Sequence, residues 1–204
     1  NDGMLHAFDA TTSTTDPATV DVTPSPGRER WAYVPYSAYG QLTNWSSLTN
    51  FKFNPSVDGT PVTRDVYFGT GSNQGWHTIL VGGLRLGGRG VYALDITEAA
   101  STEGATSGKV VGPADRVLWE FNNTITAGSA GDPSHLGYTY GRPNIGRLAT
   151  GQWVVLVPGG YFPTGSSDPS ASLTYSSLFV LDAQSGALLK EIKTPTTVSN
   201  ITGT

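Results

Sequence analysis

The side chains able to move a proton near neutral pH are three histidines, His6, His77 and His135, in a chain of 204 residues. They stand far apart in sequence. No serine occupies a nucleophile-elbow motif and no histidine pair has metal-ligand spacing, so neither a triad nor a histidine metal site can be assembled. His6 falls in an alternating strand pattern and reads as a packed or surface histidine; His135, beside LGYTYG, reads as the end of a loop. The absence of cysteine removes disulfides, thiolate metal ligands and a cysteine nucleophile. Asp58 in VDGTP, Asp65 and Asp95 offer hard oxygen ligands, but calcium takes several oxygens at once and these are dispersed, so they read as caps of turns. The glycine clusters GTGS at 69–72 and GGLRLGGRG at 82–90 resemble a phosphate cradle only superficially. That device needs the glycine turn to open a helix, and GGRG runs straight into the strand VYALDI. These glycines read as bends or bulges where backbones approach closely. No catalytic, cofactor-binding or metal residue is assigned.

The elements that would position any site are strands. The chain holds 26 Gly and 13 Pro with 37% hydrophobic and 14% charged residues, a strand-and-turn composition. Nine Tyr, seven Phe and five Trp suit half-buried pleated surfaces. The formal net charge of −4, with no Lys/Arg run, argues against a nucleic-acid groove and against electrostatic docking to an anionic membrane. No apolar run reaches the length of a spanning helix, and no signal peptide is visible.

One phrase is written three times: NDGMLHAFDATT at the start, GGRGVYALDIT at 87–97, and SSLFVLDAQSG near the end. Each alternates apolar residues and closes on Phe-Asp or Leu-Asp, which is a strand ending in a turn. In the last copy Asp182 can bond the backbone N–H groups ahead of it and Gly186 can take the left-handed conformation, so ALLKEI returns as the partner strand. The other copies are the same hairpin with long inserts in the turn, returning as GRERWAYV and RVLWEF with Trp31 and Trp119; Lys190 stands near the equivalent place in the third. DVYFGTG (65–71) and HTILVGGLRLG (77–87) precede the central hairpin, and GQWVVLVPGGYF (151–162) precedes the last. Strand, strand and hairpin make about four strands per unit, the blade of a β-propeller.

The predicted fold is therefore all-β, a partial propeller of about three to four antiparallel blades with units near 1–35, 57–121 and 138–193. Leu42, Trp45 and Leu48 fall at helical spacing and predict a short helix within 36–49. SNQGW (72–76), 122–135 and 162–175 read as exposed loops, and Tyr36, Tyr39, Trp45, Tyr161 and Phe162 as loop aromatics open to contacts. Trp31, Gly90, Asp95, Trp119, Asp182 and Gly186 form the blade motif, with the tryptophans packing one blade on the next. The opening NDG is a turn, so the chain reads as a segment of a longer protein whose isolated strand edges predict poor solubility.

The ordered set NDGMLHAFDA, WAYVP, VDGTP, LVGGLRLGGRGVYALDIT, VLWEF, LGYTYGRPNIGRL and LFVLDAQSG resembles the C-terminal modified β-propeller of the PilY1/PilC family of type IV pilus biogenesis factors and adhesins. The match runs from Asn1 to about Ile192. The resemblance implies an exported, cell-surface protein at the pilus tip. It would work with minor pilins in assembly, extension and retraction, surface adhesion and twitching motility, docked to the remainder of its own propeller. It also implies a calcium loop, expected beyond Thr204 because no D-x-D-x-D spacing occurs here. A shorter likeness to the repeats of quinoprotein dehydrogenases, which bind pyrroloquinoline quinone, leaves that class as an alternative, together with a generic propeller scaffold for an unrelated partner.

Overall fold

Apolar alternation in this chain is satisfied by pairing each strand with its neighbour in sequence. The computed structural model describes residues 3–8, 27, 29–49, 51–71, 74–97, 116–162 and 175–195, without the side chains of residues 30 and 43–45. Strands β1 (Leu5–Phe8) and β2 (Glu29–Tyr33) form a two-stranded sheet. Strands β3 (Val62–Phe68), β4 (Gly75–Gly83), β5 (Gly90–Asp95) and β6 (Val117–Asn122) form a four-stranded antiparallel meander. Strands β7 (Asn144–Arg147), β8 (Trp153–Pro158), β9 (Ser177–Asp182) and β10 (Leu188–Lys193) form a second one. Between β2 and β3 a 3-10 turn, Tyr36–Ala38, leads into helix α1 (Tyr39–Trp45). The helix stops before Leu48, whose side chain is fully exposed.

The three hairpins carry the same irregularity. Opposite Ala7 lies Trp31, opposite Ala93 lies Trp119, and opposite Val180 lies Lys190. Immediately beyond each of these pairs the return strand skips one residue, Arg30, Leu118 or Leu189, which is a β-bulge at one repeated position. A bulge re-aims the side chains that follow it. In β6 it lets Val117 reach one side of the sheet while Leu118, Trp119 and Phe121 pack on the other.

Two cores result, one on each side of the central meander. Val91, Ala93, Ile79, Val81, Trp119 and Phe121 meet Val155, Val157, Phe179 and Leu181 of the last sheet. On the opposite face, Tyr92, Leu94 and Leu84 meet Leu5, Trp31 and Tyr33 of the first sheet. Strand β5 is thus buried on both faces, as a strand sandwiched between sheets must be. The sheets stack face to face and do not merge into one.

Several boundaries differ from those read in the sequence. Gly75 and Trp76 begin β4 and do not belong to a loop, because Trp76 pairs with Tyr67 across the β3–β4 hairpin. Strand β7 is an additional element: NIGR is only four residues long and follows a Gly-Arg-Pro turn, so its pattern is too short to register as a strand. Of the segment 122–135, residues 124–129 are exposed, but Pro133–His135 form a 3-10 turn in which Pro133 is buried. The long insertions at 11–26 and 163–174 lie outside the described residues.

Candidate functional site

The boundary between the two meanders is built from the blade-motif residues of both. Asp182 closes β9, and its Oδ1 accepts from the backbone N–H of Gln184 (3.1 Å) and Ser185 (2.8 Å), folding the DAQSG turn. Gly186 completes that turn at φ +70°, a conformation that favours glycine. The indole of Trp119 lies on this turn: its Nε1–H donates to the Ala183 carbonyl at 3.0 Å. A β-carbon added at Gly186 would stand 2.6 Å from Cδ2 of that ring. Trp119, Asp182 and Gly186 are therefore one constellation spanning two blades.

The other motif residues sit one blade earlier. Trp31 is half-buried against Leu84, Tyr92 and Leu94. Gly90 is buried at the start of β5, and its carbonyl accepts from Leu84 N–H (3.2 Å) and from the hydroxyl of Thr139 (2.9 Å). Asp95 bonds the backbone N–H of Thr97 at 3.0 Å and its hydroxyl through Oδ1, and His77 through Oδ2 at 2.7 Å. Gln152 takes the place of His77 in the next blade, donating to Asp182 at 2.9 Å. Burial pushes both carboxyls up, but these hydrogen bonds outweigh it and hold Asp95 and Asp182 below their ordinary value.

Two glutamates that the sequence reading passed over complete the pattern. Glu120 and Glu191 follow Trp119 and Lys190, so they face the preceding blade. Glu120 accepts from the Tyr33 hydroxyl at 2.5 Å and from the backbone N–H of Tyr36 at 2.7 Å. Glu191, buried, accepts from Ser177 Oγ (2.6 Å), pairs with His135 Nδ1 (2.7 Å) and accepts from Asp132 N–H (3.0 Å). In both cases the carboxylate grips the 3-10 turn through which the chain leaves the preceding blade, Tyr36–Ala38 or Pro133–His135. Burial pushes Glu191 up, but its three hydrogen bonds prevail and hold it below its ordinary value. Burial and the adjacent Glu120 carboxylate push the Tyr33 phenol well up. The sequence signal was present as a Glu two residues after the bulged position in two of the three copies.

Loop contacts explain why GGLRLGGRG and LGYTYG occur together. The buried Thr139 hydroxyl accepts from Leu84 N–H (2.8 Å), and Arg89 donates to the carbonyls of Leu136 (2.6 Å) and Ser134 (2.7 Å). At Gly87 a β-carbon would stand 2.6 Å from Cα of Ser56, so backbone approaches backbone there.

The three histidines stay apart, each beside a carboxylate: His6 by Glu29 at 3.3 Å, His77 by Asp95 and His135 by Glu191. Among the described residues no group of three His, Cys, Asp or Glu side chains converges to hold a metal. Of the loop aromatics, Tyr36 and Tyr39 are exposed, with Phe51 and Phe53 exposed further along the same insert. Tyr161 and Phe162 are half-buried instead: Tyr161 is bridged through its backbone to Tyr138, and Phe162 lies under the Arg89 guanidinium at 5.3 Å. The Trp45 side chain lies outside the described ones. No described helix is long and apolar enough to cross a membrane.

Two four-stranded meanders stacked through an indole and a glycine turn, with a bulged hairpin of the same build beside them, define an arc of a β-propeller. Asp95, Asp182, Glu120 and Glu191 each brace a blade or a turn. The chain belongs to the PilY1 β-propeller domain family, which matches residues 1–201. It is 32% identical over 199 residues to the type IV pilus biogenesis factor PilY1 of Pseudomonas aeruginosa strain UCBPP-PA14, covering 95% of this chain and 13% of that protein. A PilY1 homolog of Xylella fastidiosa strain Temecula1 is 30% identical over 195 residues, with 95% of this chain and 10% of that protein covered. The crystal structure of the Pseudomonas aeruginosa PilY1 C-terminal domain superposes with a TM-score of 0.58 at 28% identity, covering 98% of this chain and 30% of that one. The chain thus spans about a tenth to an eighth of the length of these curated relatives.

Proposed function

We propose that this domain serves type IV pilus assembly and surface attachment by binding, without catalysis, outside the cell at the pilus tip. The observation that carries this reading is the match over residues 1–201 to a family whose relatives are named pilus biogenesis factors. The geometry supports a scaffold role. Trp119, Asp182, Gly186 and the two glutamates are all spent on holding blades in place, which leaves loops and exposed side chains such as Tyr36, Tyr39, Phe51 and Phe53 to meet partners. Minor pilins are the proposed partners, the remainder of the propeller packs against the arc, and calcium acts through a loop beyond Thr204 to balance extension against retraction.

The test is deletion of the gene, scored by surface pili and twitching, with complementation by the intact gene. Loss of pili restored by complementation is the expected result. Normal piliation and twitching in the deletion strain would overturn the reading. Uptake of pyrroloquinoline quinone by the intact protein, with a shifted absorbance, would overturn its non-catalytic part.

A further inference from the structure

A cleft of about 260 Å³ opens where the β3–β4 hairpin meets the β7–β8 and β9–β10 turns of the next blade. Tyr67 and Trp153 supply aromatic walls, and Gln74, Gln152, Gln184 and Asp182 supply polar groups. Trp76 flanks both walls edge-on, its ring 5.5 Å from Tyr67 and 6.2 Å from Trp153. Trp76 is 63% exposed and Tyr67 43%, so these rings are not there to fill a core. The side-chain amides of Gln74 and Gln184 make no hydrogen bond within the described residues. Gln152 uses its NH₂ on Asp182 at 2.9 Å. Arg64 does not line the cleft; its guanidinium lies 5.8 Å from the centre of the Trp153 ring and donates to the Ile145 carbonyl at 2.8 Å.

The lining selects its ligand by elimination. An anion would meet one carboxylate and no lining cation. A purely apolar guest would desolvate the Gln74 and Gln184 amides, which have no partner within the described residues, while Gln152 and Asp182 stay bonded to each other. A neutral pyranose satisfies both halves: its C–H face lies on indole or phenol rings, and its hydroxyls donate to and accept from glutamine amides. The volume falls below the roughly 300–1,000 Å³ of pockets that hold drug-sized ligands, which suits one or two sugar rings. We propose that this inter-blade cleft binds a neutral pyranose, as a glycan end or branch on an attachment surface. The proposal goes beyond the pilus reading, and the two fail separately, because sugar binding is measured on the protein and piliation on the deletion strain.

The test is saturation-transfer difference NMR on the full chain, using the methyl glycosides of glucose, galactose, mannose and N-acetylglucosamine, with methyl glucuronide as the anionic control. Transfer to the ring C–H protons of at least one neutral glycoside is expected, at a Kd of about 1 mM for an open single-ring site. Tyr67→Ala and Gln184→Ala, both at exposed positions in the lining, are expected to weaken binding about tenfold each with an unchanged far-ultraviolet circular dichroism spectrum. No transfer to any neutral glycoside, equal binding by both variants, or preference for the glucuronide would overturn the proposal.

Discussion

Replacing Gly186 by alanine puts the inter-blade contact on trial. Two costs add. The φ of +70° places an L side chain in the left-handed region, at roughly 1–2 kcal/mol. The new methyl group also overlaps the Trp119 ring, standing 2.6 Å from Cδ2, and that buried ring is pinned by its bond to Ala183; overpacking of this kind costs about 1–3 kcal/mol. Alanine stiffens the unfolded chain and returns about 0.4–1 kcal/mol. The net loss is then about 1–4.6 kcal/mol, centred near 3. Gly71 provides the control, since it has φ +59° with no atom within 4 Å of an added β-carbon. Gly71→Ala bears the backbone cost alone, about 1 kcal/mol or less. Urea unfolding followed by tryptophan fluorescence separates the two: at about 3 kcal/mol per molar, Gly186→Ala shifts the midpoint by about 1 M and Gly71→Ala by about a third of that or less. In a Trp119→Leu background, where the ring is gone, the cost of Gly186→Ala falls to that of Gly71→Ala. If the two glycine variants agree within about 0.5 kcal/mol in the parent chain, the indole does not seat on the turn and the blade contact is misassigned.

Acid tests the carboxylate grip. Glu191, Asp95 and Asp182 are all held below their ordinary values of 4.5, 3.8 and 3.8, so the stability they contribute is complete above those values and is lost as pH falls through the lower folded-state ones. Thermal midpoints measured against pH are expected to decline steeply only below about pH 4.5, and Glu191→Gln to lower the neutral-pH midpoint while flattening that decline. Two tyrosines make a contrasting pair. Among the described residues the buried Tyr92 hydroxyl has no hydrogen-bond partner, so Tyr92→Phe is expected to leave the midpoint unchanged or raise it by about 2–4 °C, whereas Tyr33→Phe, losing its bond to Glu120, lowers it by a similar amount. Differential scanning calorimetry reads both, and a clear drop for Tyr92→Phe would show that its hydroxyl has a partner.

The hairpins were legible because their signals are local. Alternation to a closing Asp, then a turn ending in Gly186, specifies two strands and their hand within a dozen residues. Strand β7 was not, since four residues cannot display a period. The partner of Trp119 was hidden for a different reason. Its acceptor is a backbone carbonyl, Ala183, 64 positions away, and a carbonyl carries no residue signature. The sugar-cleft candidates were similarly scattered: Tyr67 and Trp76 converge through the register of one hairpin, and Trp153 arrives from another sheet. Glu120 and Glu191 lay in plain view, but an alternating strand with a charged residue reads as a solvent-facing position until the preceding blade is brought over it.

The grip of Glu191 on the Asp132–His135 segment, and of Glu120 on Tyr36, makes ownership of each connector ambiguous: one sheet encodes it and the next fastens it. A swap that trades a single sheet between relatives would strand a carboxylate facing the wrong segment. The exchangeable module in such an arc runs from latch to latch, offset from the sheets that the eye picks out.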